Sequence, residues 1–240
     1  MGWYGGDVLL MIGLAFSGGK DSLACWYLYR EKNPIVFWAN TGKSYPETME
    51  IIKQVKAEAV EFIEVKSDQE QQIKFYGYPS DIVPVDHSLE GMVFAGDKPV
   101  RVQSYLNCCW SNVGQPLTEA IAKRGITHLI RGQRLDESHK STARHGSVVN
   151  GVTYIQPIET WTKEQVLAFL RTQCQLPEHY AIDHSSLDCY DCTAYLAHSA
   201  DRVAWMKEKH PNLHEKYKIN MAALKSALLP TLELLRNCDA

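Results

Sequence analysis

Six residues near the amino terminus, Ser17-Gly18-Gly19-Lys20-Asp21-Ser22, constrain this chain more than any other feature. They follow a continuous apolar run, Leu9 to Phe16, and lead into a stretch with helical character, Ser22 to Arg30. A buried strand, a tight glycine turn and a helix in that order make an anion site. Glycines let the backbone turn sharply and bring N–H groups against a negative charge. The start of the helix adds a partial positive charge at the same point. Lys20 adds a full one, and the Ser17 and Ser22 hydroxyls add further donors. In an open α/β sheet, such a loop leaves the carboxyl end of a strand, where ligands bind.

The segments that follow alternate in the same way. Pro34 to Asn40 reads as a second buried strand and Pro46 to Glu58 as a second helix. Val60 to Val65 is a third strand, Gln115 to Arg124 a helix, and Ile126 to Arg131 another strand. This alternation predicts an α/β fold, a parallel sheet with helices on both faces. Residues 66 to 107 carry several Gly and Pro and are expected to form a less regular lid over the sheet's carboxyl edge. Thr162 to Gln173 is a helix, with Thr160 or Thr162 as its cap. Asp201 to His210 and Leu213 to Lys218 are expected as helices split by Pro211, and Met221 to Arg236 as a helix broken at Pro230. A boundary near Pro177 divides an α/β domain, 1–176, from a helical C-terminal part, 177–240.

The 240 residues suit one such domain with an extension. A net charge of -3 argues against a generally basic nucleic-acid binder and leaves room for a local basic face. No apolar run is long enough to cross a bilayer. Val8 to Phe16 has no basic leader and runs into the glycine loop, so it reads as a strand and not as a signal peptide. The expectation is a cytoplasmic chain with no membrane partner. In that setting the seven cysteines are thiols or metal ligands before they are disulfides.

The loop is not a Walker A motif, which needs four residues between its first Gly and Gly-Lys. It resembles the loop of the PP-loop ATP pyrophosphatases, whose motif is Ser-Gly-Gly-Lys-Asp-Ser. The resemblance continues along the chain. Asn40-Thr41-Gly42-Lys43-Ser44-Tyr45-Pro46-Glu47-Thr48 resembles the Asp-Thr-Gly…Phe-Pro-Glu-Thr segment of the phosphoadenylylsulfate (PAPS) reductase family, with Asn40 in place of the usual Asp. Arg131-Gly132-Gln133-Arg134-Leu135-Asp136-Glu137-Ser138 is similar to that family's Gly-x-Arg-x-x-x-Ser stretch. Gln156-Pro157-Ile158-Glu159-Thr160-Trp161-Thr162 resembles its Pro-Leu-x-x-Trp-Thr. Leu176-Pro177 through Cys189-Tyr190-Asp191-Cys192-Thr193 resembles its Leu-Pro…Cys-x-x-Cys-Thr.

This resemblance implies a doubly wound, mostly parallel sheet of the adenine nucleotide alpha hydrolase type with a helical C-terminal extension. It implies ATP as ligand, split to AMP and pyrophosphate. Lys20, Ser17, Ser22 and the loop amides would then stabilise the leaving pyrophosphate with Mg²⁺, and Asp21 would help position that metal or act as a helix N-terminal acid. Gly18, Gly19, Asn40, Thr41, Gly42, Arg131, Gly132 and Arg134 are the implied nucleotide-binding residues. Asn40 and Thr41 suit either a nucleoside contact or strand-end capping. Arg131 and Arg134 suit the oxygens of phosphate or sulfate in a fork geometry, or solvated loop charges. Trp161 reads as packing.

Cys108-Cys109 with Cys189-x-x-Cys192 resembles the Cys-Cys…Cys-x-x-Cys pattern of adenylylsulfate (APS) reductases, which implies that the four thiolates hold a [4Fe–4S] cluster. A structural zinc site is the rival, although an adjacent pair suits one metal ion poorly because neighbouring sulfurs diverge. Cys25 and Cys174 read as small buried apolar residues. The reductases also carry a C-terminal Glu-Cys-Gly-x-His segment. Here the nearest counterpart is Cys238 in Arg236-Asn237-Cys238-Asp239-Ala240. With the phosphate loop intact, the chain resembles the ATP pyrophosphatase component of bacterial DNA phosphorothioation systems. That implies adenylation of a DNA backbone oxygen, a cysteine desulfurase as sulfur donor, and DNA with accessory proteins as partners. The alternatives are an APS or PAPS reductase using Cys238 and a thioredoxin-like reductant, and a nucleotide-sensing subunit that binds ATP without turnover.

Overall fold

The computed structural model describes residues 10–137, 143–181, 187 and 189–238. The expected strand start at Leu9, the Ser138 of the arginine segment and the terminal Asp239 and Ala240 lie outside these residues. In chain order the elements are β1 (Ile12–Ala15), α1 (Lys20–Tyr29), β2 (Ile35–Asn40), α2 (Pro46–Glu58), β3 (Phe62–Lys66), α3 (Gln69–Tyr76), β4 (Tyr78–Ser80), α4 (Leu89–Ala95), β5 (Val102–Ser104) and α5 (Tyr105–Cys109). They continue with α6 (Gln115–Lys123), β6 (His128–Ile130), β7 (Val148–Val149), β8 (Val152–Ile155), α7 (Lys163–Gln173), α8 (Ala200–Lys209) and α9 (Pro211–Cys238).

The chain forms two compact units, and it passes between them more than once. The first comprises residues 1–38, 49–65 and 117–176. Its sheet has the order β3-β2-β1-β6-β8-β7. β1 pairs in parallel with both β2 and β6, and β6 in parallel with β8. Side chains alternate across the sheet, as a period of two requires. Val36, Trp38, Leu14 and Ile130 face a core built with Leu23, Ala24, Ile51, Ile52, Val55, Val166 and Leu170 of α1, α2 and α7. Ile35, Phe37 and Leu129 face the opposite way, against Ile121 of α6 and Ile126. This is the expected α/β fold, a mostly parallel sheet between helices. The edge hairpin β7–β8 was not anticipated. Its signal is Asn150-Gly151, both at positive φ (51° and 78°), the dipeptide that suits a tight turn between strands.

The second unit comprises residues 39–48, 66–116 and 177–240, so the 176/177 boundary is one of several crossing points. Its small core gathers Tyr45, Leu187, Tyr190, Trp205, Met206 and Tyr217, with a neighbouring cluster of Val102, Leu224 and Leu228. Residues 66 to 107 are more regular than expected. They contain α3, β4, α4, β5 and the start of α5. Side-chain caps from Asp68, Ser88 and Ser104 start the three helices, and strands of three residues are too short to show a period. The expected break at Pro230 is also overturned, since α9 runs continuously from Pro211 to Cys238. Proline's φ is itself helical, so the principal loss is one backbone N–H donor. Pro211 opens this helix, a position where its missing N–H has no partner to lose. Among the described residues no helix is long and apolar enough to cross a membrane.

Thr162 caps α7 in a reciprocal box with Gln165. Thr162→Ala should lower stability by about 1 kcal/mol, and Thr162→Asn should restore most of it, read as shifts in the urea unfolding midpoint.

Candidate functional site

The order of strands places a reversal beside β1. From β1 the chain moves outward to β2 and β3, then returns to β6 on the other flank of β1. Ligands in such sheets bind at the carboxyl ends of the strands where the order reverses. Two segments leave that point within the first unit: Ser17–Gly19 after β1, and Arg131–Glu137 after β6.

The first is the glycine loop. Gly18 has a φ of 80°, which glycine adopts without strain, and Gly19 is the N-cap of α1. The two serines close the loop on itself. The Ser22 hydroxyl donates to the Gly19 carbonyl (3.0 Å) and accepts from the Ser17 N–H (3.2 Å). Ser17 Oγ lies 3.1 Å from Ser22 Oγ and accepts from the Gly19 N–H (3.2 Å). Gly132 packs against this turn. A Cβ there would lie 2.6 Å from the carbonyl carbon of Asp21 and 2.8 Å from the Ser22 nitrogen.

The charges are arranged around Asp21. Lys20, Asp21 and Arg134 are all buried. Lys20 Nζ is 2.7 Å from Asp21 Oδ2, and Arg134 Nε donates to Asp21 Oδ1 at 2.7 Å. Each oxygen of Asp21 therefore faces a cation, so in this structure it is the shared counter-ion of Lys20 and Arg134. Arg134 also pairs with Asp136 and, at 3.8 Å, with Glu137. Glu137 accepts from Gln133, and burial together with the Asp21 charge holds its carboxyl above the usual range. Arg131 stacks its guanidinium over the Tyr154 ring at 5.6 Å. Trp161 packs edge-on to Phe169 at the margin of the core.

The other predicted residues belong to the second unit. Asn40 Oδ1 accepts from the Gly42 N–H (2.8 Å), and Gly42 takes a φ of 74°. Asn40 thus closes the turn after β2. Thr41 Oγ1 accepts from the Lys43 N–H (3.3 Å) and lies 3.5 Å from Cys189 Sγ. Lys43 pairs with Asp191 (3.1 Å). Burial pulls the Lys43 ammonium pKa down, but the Asp191 charge and hydrogen bond outweigh it and raise it overall. Glu47 accepts from Trp205 Nε1 (3.0 Å) and pairs with His210 (2.8 Å).

The cysteines come from two segments of that unit. Cys108 and Cys109 end α5, and a π-helical turn, Trp110–Gly114, follows them. Cys189 and Cys192 share a turn closed by the Cys192 N–H to the Cys189 carbonyl (3.1 Å). Arg202 donates to the carbonyls of both, at 3.3 and 3.2 Å. Thr193 anchors the turn to the Pro79 carbonyl (2.6 Å). Gln69 Nε2 lies 3.6 Å from Cys108 Sγ and 3.5 Å from Cys189 Sγ, and Cys109 Sγ lies 3.9 Å from the Tyr195 hydroxyl. Burial pushes the Cys108 thiol up to about 12. Among the described residues no three His, Cys, Asp or Glu side chains are grouped tightly enough for a single metal ion. Cys25 is a core residue, Cys174 is partly buried against the same core, and Cys238 is exposed at the end of α9.

A family model described as "Phosphoadenosine phosphosulfate reductase domain" matches residues 11–195. The chain belongs to this family. The adenosine 5'-phosphosulfate reductase of Allochromatium vinosum is 26% identical over 192 residues, covering 77% of this chain and 68% of its own. A crystal structure of PAPS reductase from Candida auris in a phosphate complex superposes with a TM-score of 0.50 at 17% identity. It covers 75% of this chain and 85% of its own length, and at that identity the likeness concerns the fold. The chain is thus a phosphoadenosine phosphosulfate reductase-domain protein with a mostly parallel α/β sheet.

Reading the sequence missed Gln69, Asn112, Arg202 and the acids around Arg134. Asn112 follows Cys108 at a helical spacing of four and donates to its carbonyl (2.9 Å), a signal available in principle. Gln69 and Arg202 reach the cysteines through the fold and carry no local mark.

Gly132→Ala should drive the new methyl into the backbone of Asp21 and Ser22. The expected result is a loss of about 1–3 kcal/mol, read as a shift in the denaturant unfolding midpoint.

Proposed function

We propose that this protein is an ATP pyrophosphatase that adenylates an oxygen so that sulfur can replace it, with a DNA backbone phosphate as the acceptor. One observation carries the reading: the intact Ser17–Ser22 loop at the switch point, with Lys20 buried at the start of α1. The turn and helix start offer backbone donors to the β- and γ-phosphates, as helix N-termini do for anions generally. Lys20 and Arg134 are held together on Asp21. Phosphate oxygens entering the loop would compete with that carboxylate for both cations. The acceptor oxygen attacks the α-phosphorus, the α–β bridge breaks, and pyrophosphate leaves; Mg²⁺, when bound, would supply positive charge to that leaving group. A sulfide equivalent supplied by a cysteine desulfurase and its reductant then displaces AMP, which carries the acceptor oxygen away.

Cys108, Cys109, Cys189 and Cys192 would hold a [4Fe–4S] cluster. The fit rests on donor chemistry: thiols from two segments of the second unit share the Gln69 amide donor, and four thiolates are the ligand set of such a cluster. When bound, the cluster supplies a centre able to exchange electrons or sulfur. Asn40, Thr41 and Gly42 form the turn that brings Thr41 Oγ1 to Cys189. Arg131 and Gly132 would complete the nucleotide-binding residues of the first unit.

A second reading, an APS or PAPS reductase releasing sulfite, is favoured by the name of the Allochromatium vinosum relative. The two separate by product. With ATP, Mg²⁺, DNA and a sulfur donor, the protein should form AMP and pyrophosphate in equal amounts, and Lys20→Ala should reduce that rate about 10²–10³-fold. Sulfite release from adenylylsulfate with a dithiol reductant, and no AMP or pyrophosphate from ATP, would overturn the first reading in favour of the second.

A further inference from the structure

Gln69 stands in the first turn of α3, which Asp68 caps, and is 6% exposed. Its carboxamide nitrogen faces two sulfurs, Cys108 Sγ at 3.6 Å and Cys189 Sγ at 3.5 Å. A carboxamide nitrogen donates and does not accept, so both sulfurs must accept. Asn112 Nδ2 adds another amide donor 3.8 Å from Cys108 Sγ. The other end of the Gln69 amide is unsatisfied, because Oε1 is buried with no hydrogen-bond partner. Turning the amide over would give Oε1 two S–H donors if the sulfurs were thiols. The same turn would set a carbonyl oxygen against two anions if they were thiolates. Metal-bound thiolates accept hydrogen bonds and have none to give, and this is the orientation in which a carboxamide would serve them.

We propose that Gln69 is a positioning residue for the cluster ligands. One N–H goes to Cys108 and the other to Cys189, which joins α5 to the Cys189–Cys192 turn and withdraws charge from both sulfurs. Outer-shell donors of this kind fix ligand orientation and tune the metal–ligand bond. The inference deepens the cluster reading given above and rests on it.

The test uses the full chain purified anaerobically as wild type, Gln69→Met and Gln69→Glu, with folding checked first by circular dichroism. Met keeps much of the volume and removes the donors. Glu keeps the shape and replaces a donor with an acceptor. Iron and sulfide per chain, resonance Raman bands of the Fe–Sγ stretches, and the rate of iron loss to a chelator are measured. The expected result is an iron-loaded wild type, shifted Fe–Sγ bands in both variants, and iron loss faster by about tenfold, more so for Glu. A folded variant that loads less iron than the wild type also supports the proposal. Loaded variants with unshifted bands and unchanged release would overturn the role of Gln69 while leaving the cluster in place. A wild type that takes up no iron on anaerobic reconstitution would overturn the cluster reading and this proposal together. Either variant decides the matter if the other does not fold.

Discussion

The parallel pairing of β1 with β2 on one flank and β6 on the other is the constraint on which the glycine loop of the first unit depends. It aligns Leu14 with Val36 and Ile130 in one register, so the three strands send the same face into the same core. A strand flanked by two parallel neighbours is buried on both faces, and its sequence must be apolar throughout. That is why the short run before the loop has no polar alternation. The same pairing brings the turn after β1 and the turn after β6 to a common edge. Gly132 is the price of that closeness, since any side chain there meets the backbone of α1.

The fold of the first unit was legible because its strands and helices are marked by apolar runs and by glycine or proline at their ends. Pro46–Glu58 came out at its observed limits, and Thr162 as a cap can be read from the Thr-x-x-Gln pattern. The second unit was less legible. Its strands β4 and β5 are three residues each, and its helices start from single Ser or Asp caps between glycines. Such elements are held by tertiary contacts more than by their own pattern. The candidate functional residues of the two units differ in the same way. The loop residues lie together in the sequence and could be read as a group. The positions of Gln69 and Arg202 at the cysteines depend on α3 and α8 being packed as they are.

Several motif residues also bond within or beside their own turns. Asn40 was read as a nucleoside contact or a cap, and its carboxamide closes the turn at Gly42. Glu47 is engaged with Trp205 and His210, which hold its carboxyl below the usual range although burial pushes the other way. Ser17 and Ser22 bond within the loop itself. A loop that satisfies its own hydroxyls keeps its shape without a ligand, which reduces the ordering that a bound phosphate would have to impose.

The Lys20–Asp21–Arg134 group is hard to explain as a device for stability. Taking three charges out of water costs several kcal/mol per ion before their attraction is counted, and apolar replacements of buried ion groups are often at least as stable. Asp136 and Glu137 add two more carboxyls around Arg134, and Glu137 is already driven toward its neutral form. Two cations held against one carboxylate are nevertheless well arranged for an anion. A polyphosphate brings several oxygens at once, so it could share both cations with Asp21, which is itself buried and would need to keep part of their charge. On the reading proposed above, the buried group would act as a preorganised receptor whose two cations an anionic ligand shares with Asp21.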